Sequence, residues 1–243
     1  MGRVIALASG KGGVGKTMLT ACLAESLVRE GKQVLLIDAS ITNRGLDLLY
    51  RADDQILFDL GDALGGRCRP SQTVQRLNDS LSLIPAPLRE ESFAREDLYR
   101  FFHLCAQDYD VVLVDCPSGA GRQLVSLARS ADTVYLIVTP ELLSARSAST
   151  LAAVLVPYPE LEQGMIINRL YPAAQQGDYS VDRLIDMVKL PCLGVVPQDA
   201  RFLTVSQSGG IPSSGAAVNA CARIAARLLG QQIPLPKGRK LFA

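Results

Sequence analysis

A glycine-rich stretch near the N-terminus carries the residue types that bind phosphate. Residues 10–17 read Gly-Lys-Gly-Gly-Val-Gly-Lys-Thr and fit the pattern G-x-x-x-x-G-K-[ST]. Glycines let backbone N–H groups converge on phosphate oxygens, and a following helix adds the positive end of its dipole. Lys16 is predicted to reach β- and γ-phosphates, and Thr17 to offer its hydroxyl to Mg²⁺. The predicted phosphate-binding residues are Gly10, Lys11, Gly12, Gly13, Val14, Gly15, Lys16 and Thr17.

Lys11 is a second lysine inside this loop, where a phosphate cradle that has Lys16 does not need one. A lysine this early in the loop points away from the phosphates that Lys16 contacts. We therefore predict that Lys11 finds an anion only on another subunit. The site would then be completed by a second copy of the chain.

Carboxylates follow two further apolar runs. Asp38 ends the run 34–37, and Asp115 ends the run 111–114. A carboxylate at the end of a strand beside a phosphate loop can hold Mg²⁺ through a bound water. Asp115 is therefore a predicted metal-holding residue, and the alternative is a helix N-cap.

The elements that position these residues follow from the hydrophobic pattern. Runs that are apolar throughout are typical of strands covered on both faces. Their alternation with helices predicts an α/β fold of three layers, a mostly parallel sheet with helices on both faces. The predicted strands are Val4–Ala8, Val34–Ile37, Leu81–Ile84, Val111–Val114, Val134–Val138, Met165–Ile167 and Leu193–Val196. The predicted helices are Thr17–Glu30, Phe93–Ala106, Arg122–Arg129, Glu141–Leu155, Val181–Val188 and Ala216–Leu229.

Composition narrows the class of protein. The 243 residues are 48% hydrophobic and 20% charged, which is typical of a globular protein, and the net charge of +1 argues against a protein that coats DNA. The six cysteines form no CxxC pair, and the one histidine, His103, lies among apolar residues, so packing roles are expected. No run approaches the ~20 apolar residues of a membrane span. The apolar run within residues 1–10 is only as long as a strand, which is too short for a signal peptide. We expect a cytoplasmic location.

The segment KGGVGKT resembles the deviant Walker A motif of the MinD/ParA family of P-loop ATPases, and the resemblance continues over roughly residues 3–230. It implies the P-loop NTPase fold, the cofactors ATP and Mg²⁺, and a homodimer in the ATP-bound state. In that family two subunits enclose two ATP molecules. By this resemblance, Lys11 would contact the nucleotide bound to the partner subunit, and Lys16 would contact the nucleotide bound to its own subunit. Met18 replaces the family's second hydroxyl and would lose a contact to the α-phosphate.

Residues 35–49 most resemble the septum-placing MinD group of the family. Ser40 replaces the second aspartate of its pattern, the residue expected to position the attacking water, and Gly45 replaces an asparagine. Because serine cannot accept a proton at neutral pH, slow or absent hydrolysis is expected, with Asp38 or Asp47 as candidates to compensate. The predicted catalytic residues are Lys11, Lys16, Asp38 and Ser40. The matching residues are Asp38, Ile41, Arg44, Leu46, Asp47 and Leu48.

The resemblance also places the nucleotide base. Asn168, at a predicted strand end, would hydrogen-bond adenine. An asparagine at a turn explains Asn168 alone equally well, but Pro197 and Asp199, in register after the next strand, favour the adenine role. Pro197 and Asp199 belong to a segment, 194–212, that matches a loop lying against base and ribose.

The sequence favours one ATPase domain, 1–230, and a short tail, 231–243, with basic residues beside Leu241 and Phe242. The family's membrane-binding terminus implies weak contact with anionic lipid at the inner face of the cell membrane. A solvated tail is the equal alternative.

The implied function is a slow ATPase that helps to place the division septum, with division-inhibitor and activator proteins as partners and no specific nucleic acid. The alternatives are a nucleotide-gated scaffold with little hydrolysis, and a ParA-like or flagellar-placement relative.

Overall fold

Eight strands form one sheet in the computed structural model, which describes residues 2–40, 44–89 and 93–242. The strand order is β3-β4-β2-β5-β1-β6-β7-β8, and every neighbouring pair is parallel except β3 and β4. The strands are β1 Arg3–Ser9, β2 Val34–Asp38, β3 Gln75–Arg76, β4 Leu81–Ile84, β5 Val111–Ser118, β6 Thr133–Val138, β7 Glu162–Leu170 and β8 Cys192–Pro197.

Helices connect these strands across both faces of the sheet. In the described part of the chain they are α1 Lys16–Arg29, α2 Leu46–Tyr50, α3 Leu60–Leu64, α4 Pro70–Thr73, α5 Arg95–Cys105, α6 Arg122–Ala128, α7 Leu142–Leu155, α8 Pro172–Gln175, α9 Val181–Val188, α10 Ala200–Ser208 and α11 Ala216–Leu228. Two 3₁₀ turns cover Asp53–Gln55 and Gly238–Phe242.

The strands bury alternate side chains on opposite faces of the sheet. Ile5 and Leu7 of β1 pack towards α1 and α11, whereas Val4 and Ala6 pack towards α5, α6 and α7. A third apolar cluster continues the second face under α9. The predicted class, three layers around a mostly parallel sheet, is confirmed.

The order of the strands explains where a ligand can bind. β1 lies between β5 and β6, so the chain passes from β1 to β2 on one side of β1, and later crosses from β5 to β6 on its other side. Ligands of open α/β sheets bind at such a switch point, outside the carboxyl ends of the strands. The glycine-rich loop begins there, directly after β1.

All seven predicted strands and six predicted helices are present, with ends that differ by a few residues. The main correction concerns segment 194–212: the part that follows the predicted strand Leu193–Val196 was predicted as a loop but contains the nine-residue helix α10. The short helices α2, α3, α4 and α8 were not predicted. Ile41 of the matched motif lies outside the described residues, as does the side chain of Arg239 in the tail.

The cysteines are free thiols, and Cys22, Cys105, Cys116 and Cys221 are buried. His103 stacks on the Tyr99 ring, with a centroid distance of 4.1 Å. No helix among the described residues is long and apolar enough to cross a lipid bilayer.

Candidate functional site

The glycine-rich loop surrounds the N-terminus of α1. At two of its positions neighbouring atoms lie too close for any residue larger than glycine. Gly15 has a φ of +84°, and a Cβ there would lie 2.7 Å from the Asn168 Nδ2. A Cβ on Gly10 would lie 2.4 Å from the backbone oxygen of Ser147 in α7. Larger residues would therefore push β7 and α7 away from the loop. The close packing fixes the shape of the phosphate cradle.

Lys16 and Thr17 converge on one carboxylate at the end of β5. The Lys16 Nζ donates to Asp115 Oδ1 at 2.7 Å, and the Thr17 hydroxyl donates to Oδ2 at 2.6 Å. Thr20 adds a third, longer contact at 3.3 Å. Asp115 is fully buried and Lys16 is 5% exposed, so each charge neutralises the other away from water. The motif residues predicted from two distant segments thus meet in one cluster.

Asp38 lies beside this cluster, opposite Asp115 in the pairing of β2 with β5. Its carboxylate accepts the backbone N–H of Ser40 at 2.9 Å. It also accepts those of Gly45 and Leu46, at 3.0 and 3.1 Å, and so holds the start of α2. Burial and then the negative charge of Asp115 raise the pKa of Asp38 to about 7. Asp38 is therefore a structural anchor for α2, and its carboxyl group changes its protonation near neutral pH.

The two carboxylates that could compensate for Ser40 are already engaged. Asp38 holds three backbone N–H groups, as described above. Asp47 accepts the backbone N–H of Leu48 at 2.8 Å and pairs with Arg44 at 3.2 Å. Ser40 itself is buried, with 4% of its surface exposed.

Lys11 makes an ion pair with Glu141, just before α7 in its own chain. The prediction that Lys11 finds an anion only on another subunit is therefore wrong. Both side chains are partly exposed, and exposed pairs of this kind are worth only about 0–1 kcal/mol. A phosphate carries more charge than the Glu141 carboxylate and can replace it as the partner of Lys11.

A cavity of about 450 Å³ opens beside the loop, within the range of small-molecule sites. Of the residues predicted from the sequence, nine line it: Gly13, Val14, Gly15, Lys16, Thr17, Met18, Asn168, Pro197 and Asp199. The other predicted residues, Gly10, Lys11, Gly12, Asp38, Ser40 and Asp115, are not among the described lining residues.

Asn168 and Asp199 also have structural tasks at this cavity. The Asn168 Nδ2 donates to the Val14 carbonyl at 2.8 Å, which ties the end of β7 to the loop. The Asp199 carboxylate caps α10 by accepting the Arg201 N–H at 3.0 Å. These contacts hold both residues in place at the cavity wall.

The sequence reasoning missed several lining residues. Arg169 follows Asn168 and has a φ of +56°. Its guanidinium lies beside Gly15, 3.4 Å from the position that a Cβ on that glycine would take. Its signal was available, because residues 166–172 resemble the family's segment with Asn-Arg at a strand end. An apolar wall comes from Leu48, Leu49 and Phe202, on the two helices α2 and α10 that were not predicted.

Comparison with known proteins identifies the family. A model described as the CobQ/CobB/MinD/ParA nucleotide binding domain matches residues 5–212. The chain belongs to this family. Its fold, a mostly parallel sheet with helices on both faces, is therefore that of a MinD/ParA-type P-loop NTPase.

Individual relatives agree. Septum site-determining protein MinD of Bacillus subtilis (strain 168) is 31% identical over 246 residues, which cover 97% of this chain and 92% of that protein. A chain of the MinC:MinD cell division protein complex of Aquifex aeolicus superposes with a TM-score of 0.88 at 30% identity, covering 97% of this chain and 99% of that one. MinD of Pyrococcus horikoshii OT3, complexed with Mg-ADP, has a TM-score of 0.82 at 25% identity, over 96% and 100%.

The donors at the site fit a magnesium nucleotide. The Lys16 ammonium and the Thr17 hydroxyl, both in the first turn of α1, lie within hydrogen-bond distance of the Asp115 carboxylate. The N-terminus of this helix also favours a bound phosphate. No described cluster of three or more His, Cys, Asp or Glu side chains is present elsewhere to hold a metal ion. A single carboxylate and a hydroxyl suffice where phosphates and water complete the shell of Mg²⁺.

Proposed function

We propose that this protein is an ATP-dependent, dimerising ATPase that helps to place the division septum. The observation that carries the proposal is the Lys16–Thr17–Asp115 cluster at the end of a deviant P-loop. The MinD relatives support the septum role, and the MinC:MinD complex supports a MinC-type division inhibitor as partner. An activator protein of the Min type completes the proposed set of protein partners. We also propose weak contact of the tail with anionic lipid at the inner face of the cell membrane.

In this proposal Lys16 contacts the β- and γ-phosphates of ATP, and Thr17 and Asp115 hold Mg²⁺. Bound Mg²⁺ supplies charge neutralisation between the phosphates. The glycine N–H groups bind phosphate oxygens, while Asn168, Pro197 and Asp199 enclose adenine and ribose. To contact the phosphates, the Lys16 ammonium must leave Asp115. The phosphate chain favours this exchange because it is a stronger hydrogen-bond partner for the ammonium than the carboxylate.

Dimerisation depends on Lys11 in this scheme. We predict that the wild type sediments as a dimer with Mg·ATP, whereas Lys11→Ala stays a monomer although it still binds ATP. Glu141→Gln should dimerise at a lower protein concentration, because Lys11 then has no competing partner in its own chain. Sedimentation velocity measures the dimer, and calorimetric titration measures ATP binding.

Lys32→Ala, in the turn after α1, is the matched control and should behave as the wild type. A protein that stays monomeric with Mg·ATP, and equally so with and without Lys11, would rule out the dimer proposal.

Met18 gives a second test of the nucleotide pose. Met18→Thr is expected to bind ATP about tenfold more tightly, because a hydrogen bond to a charged group contributes about 1.5–3 kcal/mol. Met18→Val is the control, since valine has the shape of threonine without the hydroxyl. Equal affinities of the Thr and Val variants, measured by calorimetry, would show that no phosphate lies beside residue 18.

A nucleotide-gated scaffold with little hydrolysis is the second candidate. The full engagement of Asp38 and Asp47 favours it, because neither carboxylate is free to replace the one that Ser40 lacks. Both candidates bind ATP and dimerise, and only the rate of ATP cleavage separates them.

A further inference from the structure

The C-terminal segment returns to the sheet after α11 and lies against its open edge. β8 is the last strand of the sheet, and the 3₁₀ turn Gly238–Phe242 packs against it. Edge strands expose unpaired backbone groups and are commonly covered by another element. The tail provides such a cover in this chain.

Leu241 anchors the segment in the protein's own core. Its side chain is 2% exposed and belongs to the apolar cluster under α9, while Phe242 packs at the margin of that cluster. Lys237 and Lys240 remain exposed on the outside. The expectation of a solvated tail is therefore wrong at Leu241, which is buried although Lys237 and Lys240 on either side of Gly238 are exposed. The cluster residues include Val138, Met165, Ile167, Leu184, Val188 and Val195.

Arg227, in the last turn of α11, ties the first part of the tail to β8. Its guanidinium donates to the carbonyl of Ile233 at 2.7 Å and to that of Pro234 at 2.9 Å. It also donates to the carbonyl of Leu193 in β8 at 3.1 Å. One planar side chain thus joins the helix, the edge strand and the tail, which a lysine with a single point charge cannot do.

We propose that residues 231–242 form an intramolecular clasp, held by Arg227 and Leu241, that must open before the tail can enter a lipid surface. In the closed clasp Leu241 is withheld from lipid while the exposed side chains of Lys237 and Lys240 can reach it, so attachment is electrostatic and weak. When the clasp opens, the side chains of Leu241 and Phe242 leave the apolar cluster and can insert into the membrane. The edge of β8 is then uncovered. The lipid step rests on the proposed function, whereas the clasp itself does not.

The test compares the full-length wild type with Arg227→Gln and with Arg29→Gln, an exposed arginine in the last turn of α1. Hydrogen exchange followed by mass spectrometry should show protected amides in 231–242 of the wild type. We expect exchange there to be at least about tenfold faster in Arg227→Gln and unchanged in Arg29→Gln, because Arg227 donates hydrogen bonds to the tail and Arg29 is not part of the clasp.

Vesicle sedimentation tests the lipid step, with vesicles of phosphatidylglycerol and phosphatidylcholine and with phosphatidylcholine alone as the uncharged control. Arg227→Gln should bind the anionic vesicles about tenfold more tightly than the wild type, since without the Arg227 hydrogen bonds less free energy is needed to open the clasp and release Leu241. Adding Leu241→Ser to Arg227→Gln should remove that gain.

Wild-type tail amides that exchange as fast as those of an unstructured peptide would overturn the clasp. Protected amides that Arg227→Gln releases, without vesicle binding by any variant, would support the clasp and overturn the lipid step. That second result would also count against membrane attachment in the proposed function, and it would leave ATP-dependent dimerisation untouched.

Discussion

Lys16→Ala is expected to abolish ATP binding and to destabilise the fold in the same step. Lys16 is the only described side chain paired ionically with Asp115, at 2.7 Å, and Asp115 is fully buried. Removing one member of a buried pair leaves an uncompensated charge, at a cost of about 3–5 kcal/mol. Urea unfolding without nucleotide measures that loss, and calorimetric titration with Mg·ATP measures binding.

The double variant Lys16→Ala, Asp115→Asn separates the two effects. It removes the unpaired charge, so most of the lost free energy of unfolding should return, because Thr17 and Thr20 still reach residue 115. ATP binding should not return, since the ammonium that contacts the phosphates is still missing. ATP binding by Lys16→Ala at wild-type affinity would contradict the assignment of the P-loop.

The parts of the site that the sequence predicted depend on short-range patterns. The loop 10–17 and the carboxylate of Asp115 each follow a strand that is apolar throughout, and the carboxyl ends of neighbouring parallel strands meet at one edge of the sheet. Strand pairing then brings Lys16 to Asp115, although they are 99 residues apart. The motif together with the fold class was sufficient to predict that Lys16, Thr17 and Asp115 lie at one site, but not that Lys16 pairs with Asp115.

The parts that were missed depend on long-range contacts. α2 has five residues, and its N-terminal N–H groups are held by Asp38, eight residues before Leu46, so no local cap marks where it begins. Lys11 meets Glu141 across 130 residues, and Leu241 enters a cluster built by β7, β8 and α9. Neither contact leaves a periodic signal in the sequence.

α10 is a different case, because a local signal was present. Asp199 is an N-cap residue type directly before Ala200, and its side chain does cap the helix. The resemblance to a loop of the family outweighed that signal in the prediction. A family motif therefore identifies where a segment lies better than it identifies the local backbone.

Restoring the carboxylate at position 40 is expected to raise the rate of ATP cleavage by ~10²–10⁴-fold, the range typical of one positioned acid–base group. Ser40→Asp places a proton acceptor where the family has one, in a chain whose other two nearby carboxylates hold backbone N–H groups or an arginine. Single-turnover cleavage of Mg·ATP is the direct measurement, because it excludes the rates of nucleotide release and dimer exchange.

The same substitution should destabilise the protein when no nucleotide is added. Asp38 already has a pKa of about 7 because of burial and the charge of Asp115, and a third carboxylate beside it adds repulsion of the same sign. The loss of stability should shrink at pH 5, where Asp38 is protonated, and should reappear at pH 8, where Asp38 ionises. Unfolding in urea at both pH values measures this difference.

Ser40→Asn is the matched control, because asparagine has the size of aspartate but neither its charge nor its basicity. It should cleave ATP no faster than the wild type, and its stability should depend on pH as that of the wild type does. If Ser40→Asp binds Mg·ATP normally and still cleaves it no faster than Ser40→Asn, the missing carboxylate is not what limits hydrolysis. Fast cleavage by the wild type would likewise exclude the scaffold, since the attacking water would then be activated without a carboxylate at position 40.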